Sequence, residues 1–424
     1  MMMQGRNSIA RGRLVICGSR CAIGPQAAPR ASMEITGDRV TRLLESTSAP
    51  RDSLFGDTKI DLSGFLLLPG LVNAHDHLDF SLFPNLGNGP YGNYIEWGED
   101  IHERFPDLIA RHRAVPKSTR LWWGGIRNLL CGVTTVSHHN PLRPIMTTKG
   151  FPVRVVQKYG WGHSLALGGD LRRARAATPE GQPFIVHACE GVDELAREEL
   201  RGLDRLGLLD SSTVLVHGLA IDDEGAALMR ERGASLIICP SSNKLLFGKV
   251  PDMSVLSRVG KIALGSDSPL TAEGDLLDEV RFAVRFTGIS ASRAYQMVTT
   301  IPAAILGLGD GEGSIKESGV ADLIAVRDTG RNPADTLQSL SHSDIELVML
   351  GGRVQLASEA VLDRLPVTER RELEPLSAGG SMRWLRAPVD TLLREVEEIF
   401  GRGEVLLDGR RLGVTEGAEA VHAR

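Results

Sequence analysis

The chain has no long apolar run: nothing in its 424 residues approaches the roughly 18 consecutive apolar residues of a membrane span. The N-terminal MMMQGRNSIARGRLVICG carries an apolar run too short for a secretory signal. Neither sign of charge prevails, with 48 Lys plus Arg against 53 Asp plus Glu and a formal net charge of -5. Without a long basic tract, no nucleic-acid partner is expected. Cysteine is scarce. Cys17, Cys21, Cys131, Cys189 and Cys239 are an odd set spread along the chain rather than a disulfide framework, and they fit a reducing compartment and a cytoplasmic protein. Cys17 and Cys21 read as buried structural thiols, because no second Cys or His pair lies nearby to complete a zinc site. Internal repeats and low-complexity tracts are missing, and the composition excludes the collagen, coiled-coil and disordered classes. What is there is an ordinary globular chain, 42% apolar and 24% charged, with ample material for a core. Its length suits two or three domains of about 150 residues, or an α/β barrel of about 250 with additions.

Residues 1–64 read as short strands broken by turns: RLVICGS, ASMEITG, RVTRLLEST and TKIDLSG. From 65 to 308 the pattern changes. The short, nearly all-apolar runs FLLLPGLVNAH, GVTTVSHH, PVRVVQKYG, PFIVHACE, TVLVHG, SLIICPSS and KIALGSDS alternate with amphipathic ones. Strands buried on both faces look like this, and they belong to parallel sheets. VDELAREELRGLDRLGLL starts at Asp193, a good N-cap, and is read with Leu195, Leu200, Leu203 and Leu206 on one face. DDEGAALMRERG and GDLLDEVRFAVRFTG repeat the helical pattern. The alternation predicts an α/β fold with right-handed crossovers, and a closed (β/α)8 TIM-like barrel suits it better than an open sheet, since no Gly-rich phosphate turn follows the first strand. One strand is missing from the pattern, so 157–182 must hide it or the barrel is irregular there. After 309, GSIKESGVADLIAVRD and DIELVMLGGRVQLAS return to strands. The expected organisation is a small β-sandwich domain composed of 1–64 and 309–364, the barrel at 65–308, and a charged extension at 365–424. That extension has one helix, PVDTLLREVEEIFG, and its last dozen residues are expected to be disordered.

Several strand candidates end in ionisable residues. His75 and His77 in NAHDH are two apart, so on a strand both imidazoles point to one face and can chelate a divalent cation. Asp76 points the other way and is read as an anchor. His187 ends the strand in PFIVHACE, and Glu190 follows where the chain can turn it back over the strand ends. A carboxylate there can take a proton from an activated water and pass it to a leaving group, although an acid opening the next helix is the bland alternative. His217 and Asp267 end two further apolar strands. Burying so many such groups costs energy unless they are paired or bound to a metal, and barrel enzymes carry their chemistry at strand C-terminal ends.

LLLPGLVNAHDHLD, GVTTV, IVHACE, LVHG, CPSSN and LGSDSP, in this order, resemble the amidohydrolase superfamily, and HxxE at 187–190 is similar to its cytosine deaminase, chlorohydrolase and guanine deaminase branch. VTTIPAAILGLGDGEGSIKESGVADLIAVR resembles that family's passage from barrel to β domain. The resemblance implies one catalytic Zn or Fe, with His75, His77 and His187 as ligands and Asp267 at or beside the ion. It makes Glu190 the proton shuttle and gives His217 the hydroxide or the substrate to orient. Gln157, His163 and Asn243 are candidate substrate contacts, and Trp161 a candidate stacking wall. The chain departs from the family after GVTTV, where Asp is common: here stand Ser137, His138 and His139, of which one His can face the cavity. Lys158 is the only candidate for a carboxylated, metal-bridging lysine, and HxxE argues for one metal instead.

The expected activity is hydrolysis of a non-peptide C–N bond, foremost deamination of a planar nitrogen heterocycle. Ring opening of a cyclic amide, as in imidazolonepropionase-like relatives, is the alternative; hydrolytic dechlorination and an inactive scaffold rank behind it. The 78–115 segment, with Phe80, Tyr91, Tyr94 and Trp97, reads as a lid over the substrate. A homodimer is left open by the resemblance.

Overall fold

The computed structural model describes residues 13–44 and 58–414. Eight strands run parallel in two sheets. The first sheet holds β1 (Leu71–Asp76), β2 (Val133–His138) and β3 (Arg154–Val155). The second holds β4 (Gly160–Gly162), β5 (Phe184–Ala188), β6 (Thr213–His217), β7 (Ser235–Ile238) and β8 (Ile262–Leu264), paired in chain order. Every residue of β1, β2, β5, β6, β7 and β8 is buried, as apolar runs covered on both faces require. The strand hidden in 157–182 is β4, three residues of which two are glycine, too short and too poor in side chains to show a pattern.

The helices lie where punctuation placed them. Asp193 caps Glu194–Arg205 by accepting from Ala196 N–H, and Asp275 caps Leu276–Thr287 in a capping box with Asp278. The buried face of the first is Ala196, Glu199, Leu200 and Leu203, not the leucine set read from sequence. Leu195 is exposed, because five residues of a 3.6-residue repeat carry it away from Leu200. Helix Lys117–Leu130 packs under β2 and buries Arg127.

FLLLPGLVNAH, read as one strand, is two. Phe65–Pro69 joins a mixed nine-stranded sheet beside Leu323–Arg327, and only β1 joins the parallel strands. Gly70 marks the change of sheet; a Cβ there would meet Thr134 Oγ1 at 2.2 Å. A four-stranded sheet, Leu14–Cys17, Ser32–Thr36, Arg39–Leu44 and Thr58–Asp61, shares a core with the nine-stranded one through Ile16, Met33, Ile60, Phe65, Leu323 and Met349. The end of RVTRLLEST lies outside the described residues, as do most of the last dozen residues expected to be disordered. The charged extension is more structured than its composition suggests. Glu374–Ala378, Ser381–Leu385, Leu406–Leu407 and Arg410–Gly413 add to the nine-stranded sheet, and the expected helix is Val389–Phe400, packed on Lys117–Leu130. Among the described residues no helix is long and apolar enough to cross a membrane.

The edges of the parallel sheets meet at β8 and β1: the Asp267 N–H donates to the His75 carbonyl at 3.1 Å. Gly265 makes the approach possible, since a Cβ there would sit 2.6 Å from His75 Cβ. Gly265→Ala should therefore push the two strands apart and cost about 1–3 kcal/mol, read as a lower urea midpoint; an unchanged midpoint would mean the seam yields freely.

Candidate metal centre

The C-terminal ends of β1, β5, β6 and β8 converge on one pocket floor. His75 and His77 do face the same side, with ring centres 5.0 Å apart and lying 4.9 and 5.5 Å from the ring centre of His187. One nitrogen from each of these three imidazoles lies within 4.8 Å of the others. Asp267 completes the set: its Oδ1 is 3.6 Å from Nε2 of both His75 and His77. Its Oδ2 is occupied, accepting from Ser242 Oγ at 2.8 Å and Thr271 Oγ1 at 3.0 Å. One carboxylate oxygen is thus held by hydroxyls while the other turns to the imidazoles.

His217 lies between two carboxyl groups, its Nε2 3.5 Å from Glu190 Oε1 and 4.0 Å from Asp267 Oδ2. His217 and Asp267 have φ of 76° and 51°, and Cys189, which turns the chain toward Glu190, has φ 55°. Left-handed backbone at non-glycine residues costs energy and persists only where surroundings enforce it, which is common at functional sites. Here it turns the chain at the ends of β5, β6 and β8 over the floor.

Electrostatics separates the two acids. Burial pushes Asp267 up, but the His75 contact and the His217, His75 and His77 imidazoles outweigh it and hold the carboxyl well below the usual range. Burial, with the Asp267 and Glu199 carboxylates, pushes Glu190 well above it. The two carboxyl groups are thus displaced in opposite directions, Asp267 toward the anion and Glu190 toward the acid. Burial also lowers the imidazoles: His187 falls well below its ordinary value, His217 to about 3 and His163 to about 4. The floor therefore offers neutral nitrogen donors and one anionic oxygen, the donor set of a divalent transition ion. His187 Nε2 faces His75 Nε2 at 3.2 Å, and His75 Nδ1 has no partner, although buried polar atoms normally have one. This pattern fits a cation among them.

Asp76 is the anchor it was read to be, and its partner is a residue the sequence reading missed. Arg127 Nη1 donates to Asp76 Oδ2 at 3.0 Å, Ser266 Oγ at 3.2 Å and the Asp267 carbonyl at 3.3 Å. Asn128 adds a 2.7 Å hydrogen bond to Asp76. Arg127 Nε binds Asp408 at 2.7 Å, in the C-terminal extension, and all three charged side chains are buried. The signal was there: LWWGGIRNLL places an Arg inside an otherwise apolar helical stretch.

The other candidates divide. Of the two adjacent histidines, His138 turns aside, its Nδ1 accepting from the Leu78 N–H at 3.2 Å. His139 packs 4.1 Å from the His187 ring centre and 5.2 Å from that of His75, with neither nitrogen hydrogen-bonded. His163 lines the cavity above the floor. Trp161 instead packs edge-on against His139, 5.2 Å between ring centres. Asn243 is wholly buried, with its amide 3.5 Å from His217 Nδ1, so it stands behind the imidazole rather than in the cavity wall. Gln157 and Lys158 are exposed, because β3 ends at Val155 and the chain turns to solvent before β4. They do not reach the buried cluster.

Residues 162–354 match the model of the amidohydrolase family. A 5-methylthioadenosine/S-adenosylhomocysteine deaminase of Natronomonas pharaonis is 26% identical, covering 78% of this chain and 88% of that protein. A 5'-deoxyadenosine deaminase of Methanoregula boonei is 31% identical over a shorter stretch, 48% of this chain and 50% of its own. Among solved structures, a zinc-bound adenosine deaminase from Xanthomonas campestris superposes with TM-score 0.66 at 18% identity, covering 91% of this chain and 97% of its own. An atrazine chlorohydrolase from Arthrobacter aurescens complexed with zinc gives 0.68 at 17% identity, covering 91% and 99%. The fold is shared with both.

Two outcomes follow from the buried charges. Arg127→Met should cost about 3–5 kcal/mol in urea unfolding, because Asp76 and Asp408 are left buried without their cation. The metal-free protein should lose stability as pH falls below about 6.5. His187 and His217 take protons in the unfolded chain before they can in the fold, so their contribution is complete above that value and lost below it. A urea midpoint equal at pH 7.5 and 5.5 would contradict this.

Proposed function

We propose that this chain, whose residues 162–354 match the amidohydrolase family, is a metal-dependent hydrolase of non-peptide C–N bonds that replaces an amino group of a nitrogen heterocycle by hydroxyl and releases ammonia. The observation that carries the reading is the convergence of His75, His77, His187 and Asp267 on one buried floor, with His217 and the Glu190 carboxyl 3.5 Å apart beside them. In this reading the two parallel sheets are arcs of one (β/α)8 barrel. The 3.1 Å contact between Asp267 and the His75 carbonyl and the superposition on solved relatives support it. The strands around Leu14–Thr36 and Leu323–Ala357 form the β-sandwich part. Five buried free thiols fit a cytoplasmic location.

His75, His77, His187 and Asp267 Oδ1 would hold one divalent ion. Zinc is favoured over iron, since the deaminase and chlorohydrolase neighbours are zinc-bound. When bound, such an ion lowers the pKa of water toward neutrality and supplies a nucleophile. The rest of the chemistry belongs to the chain. Asp267 and His217 orient the attacking water toward an electron-poor ring carbon. Glu190, whose carboxyl burial shifts toward the acid form, donates a proton to the adjacent ring nitrogen and so prepares the carbon for attack. As a carboxylate it then takes a proton from the added water, passes it to the departing amine, and recovers one from the new hydroxyl as ammonia leaves and the carbonyl tautomer forms. Asn243 holds His217 from behind. Arg127 keeps the ligand-bearing ends of β1 and β8 together, since it grips the Asp76 side chain and the Asp267 backbone at once.

Ammonia release from a panel of aminopurines, aminopyrimidines and aminotriazines tests the reaction, and release from none would refute it. His187→Ala should lower bound metal measured by elemental analysis. Glu190→Gln should keep the metal and reduce kcat by about 10²–10⁴; near-normal turnover would remove Glu190 from the proton-transfer role.

A further inference from the structure

The cavity above the floor has a volume of about 530 Å³. Its walls come mainly from the long segment after β1, which forms helices Tyr94–Arg104 and Pro106–Ala114. Phe83, Leu86, Trp97, Ile101, Ile109 and Leu270 line it and pack together as a hydrophobic cluster separate from the main core. Three polar side chains in these walls, Trp97, Tyr94 and Thr271, are already engaged. Trp97 Nε1 donates to the Leu86 carbonyl at 2.8 Å. The Tyr94 hydroxyl is 2.8 Å from Ser164 Oγ and 2.9 Å from Glu199 Oε1. Thr271 spends its hydroxyl on Asp267. Charged side chains lining the cavity beyond the walls, Glu99, His102 and Arg113, are exposed to water at the mouth.

The cavity is therefore polar at its base and apolar from there to its rim. A planar ring with an amino group finds hydrogen-bonding partners at the base. Whatever the ring carries must enter the stretch between the base, where His163 and Ser268 stand, and the charged mouth, and that stretch is walled by Phe83, Leu86, Trp97, Ile101, Ile109 and Leu270. Hydroxyls or a charged tail would lose their water without replacement, a cost that specific sites usually avoid. We propose that the substrate is an aminated nitrogen heterocycle bearing an alkyl, aryl or thioether substituent, and that the wall of Phe83, Leu86, Trp97, Ile101, Ile109 and Leu270 selects it over congeners with a hydroxylated or charged substituent. The inference rests on the aminohydrolase reading for its ring and on the wall for its substituent.

The test uses the metal-loaded full chain and one ring series: adenine, adenosine, 9-butyladenine and 9-benzyladenine. kcat/KM is measured by ammonia release, and binding of the same four to the metal-loaded Glu190→Gln protein by calorimetry. The apolar congeners should exceed both adenine and adenosine by at least about tenfold in each measurement, the scale on which a pocket reads added methylenes. Ile109→Thr should narrow the gap several-fold, and Ile109→Val should restore it. If adenosine is turned over or bound as well as the butyl and benzyl compounds, or if none of the four binds, the proposal is overturned. If the apolar pair binds tenfold tighter but releases no ammonia, the reaction reading fails and the selectivity of the wall stands.

Discussion

Imidazoles and carboxyl groups crowded at the ends of fully buried strands are the constraint around which this molecule is arranged. An apolar interior penalises charge on every one of them. The penalty lowers the pKa values of His77, His187 and His217, raises that of Glu190, and is outweighed at Asp267 by the imidazoles around it. The same burial that makes the cluster costly thus displaces its two acids in opposite directions. Chemistry and instability arise here from one cause, and a cation among the nitrogens relieves the second while enabling the first.

The side of the strands that faces away from the cavity carries a compensating cation. Arg127 binds Asp76, which sits between the two histidines of β1, and also the backbone of Asp267 on the other side of the β8–β1 seam. The guanidinium behind thus holds the same two chain segments that a cation among the imidazoles would hold from the front. Such pairs contribute little to net stability when intact, because desolvation offsets attraction. Their effect is on geometry, and the cluster depends on strand ends that are set within a fraction of an ångström.

Much of this was legible in the sequence because it repeats at strand ends. HxH reports a shared face through the two-residue alternation of a strand, and His187, His217 and Asp267 each close an apolar run. The Asp193 cap was readable because a helix N-cap is a local signal, and Asp275 caps its helix in the same way without having been singled out. What escaped notice depends on distant contacts. Nothing near Arg127 in sequence names Asp408 as its partner, and Gln157 looked like a cavity residue only because the length of β3 was not known. The choice between His138 and His139 turns on which of them follows the last paired residue of β2. The five-residue offset that exposes Leu195 was readable, and it shows that counting leucines is a poorer guide than measuring their angular spacing.

The link between Arg127 and Asp408 also bears on how the protein is made. Asp408 is synthesised after the histidines and carboxylates of the cluster, and it reaches Arg127 only when the strand pair Leu406–Leu407 and Arg410–Gly413 has formed. Until then the guanidinium lacks one of its two carboxylates. A growing chain can bring its ligand-bearing strands together early, but the brace behind them is finished only once this later segment has been made and paired.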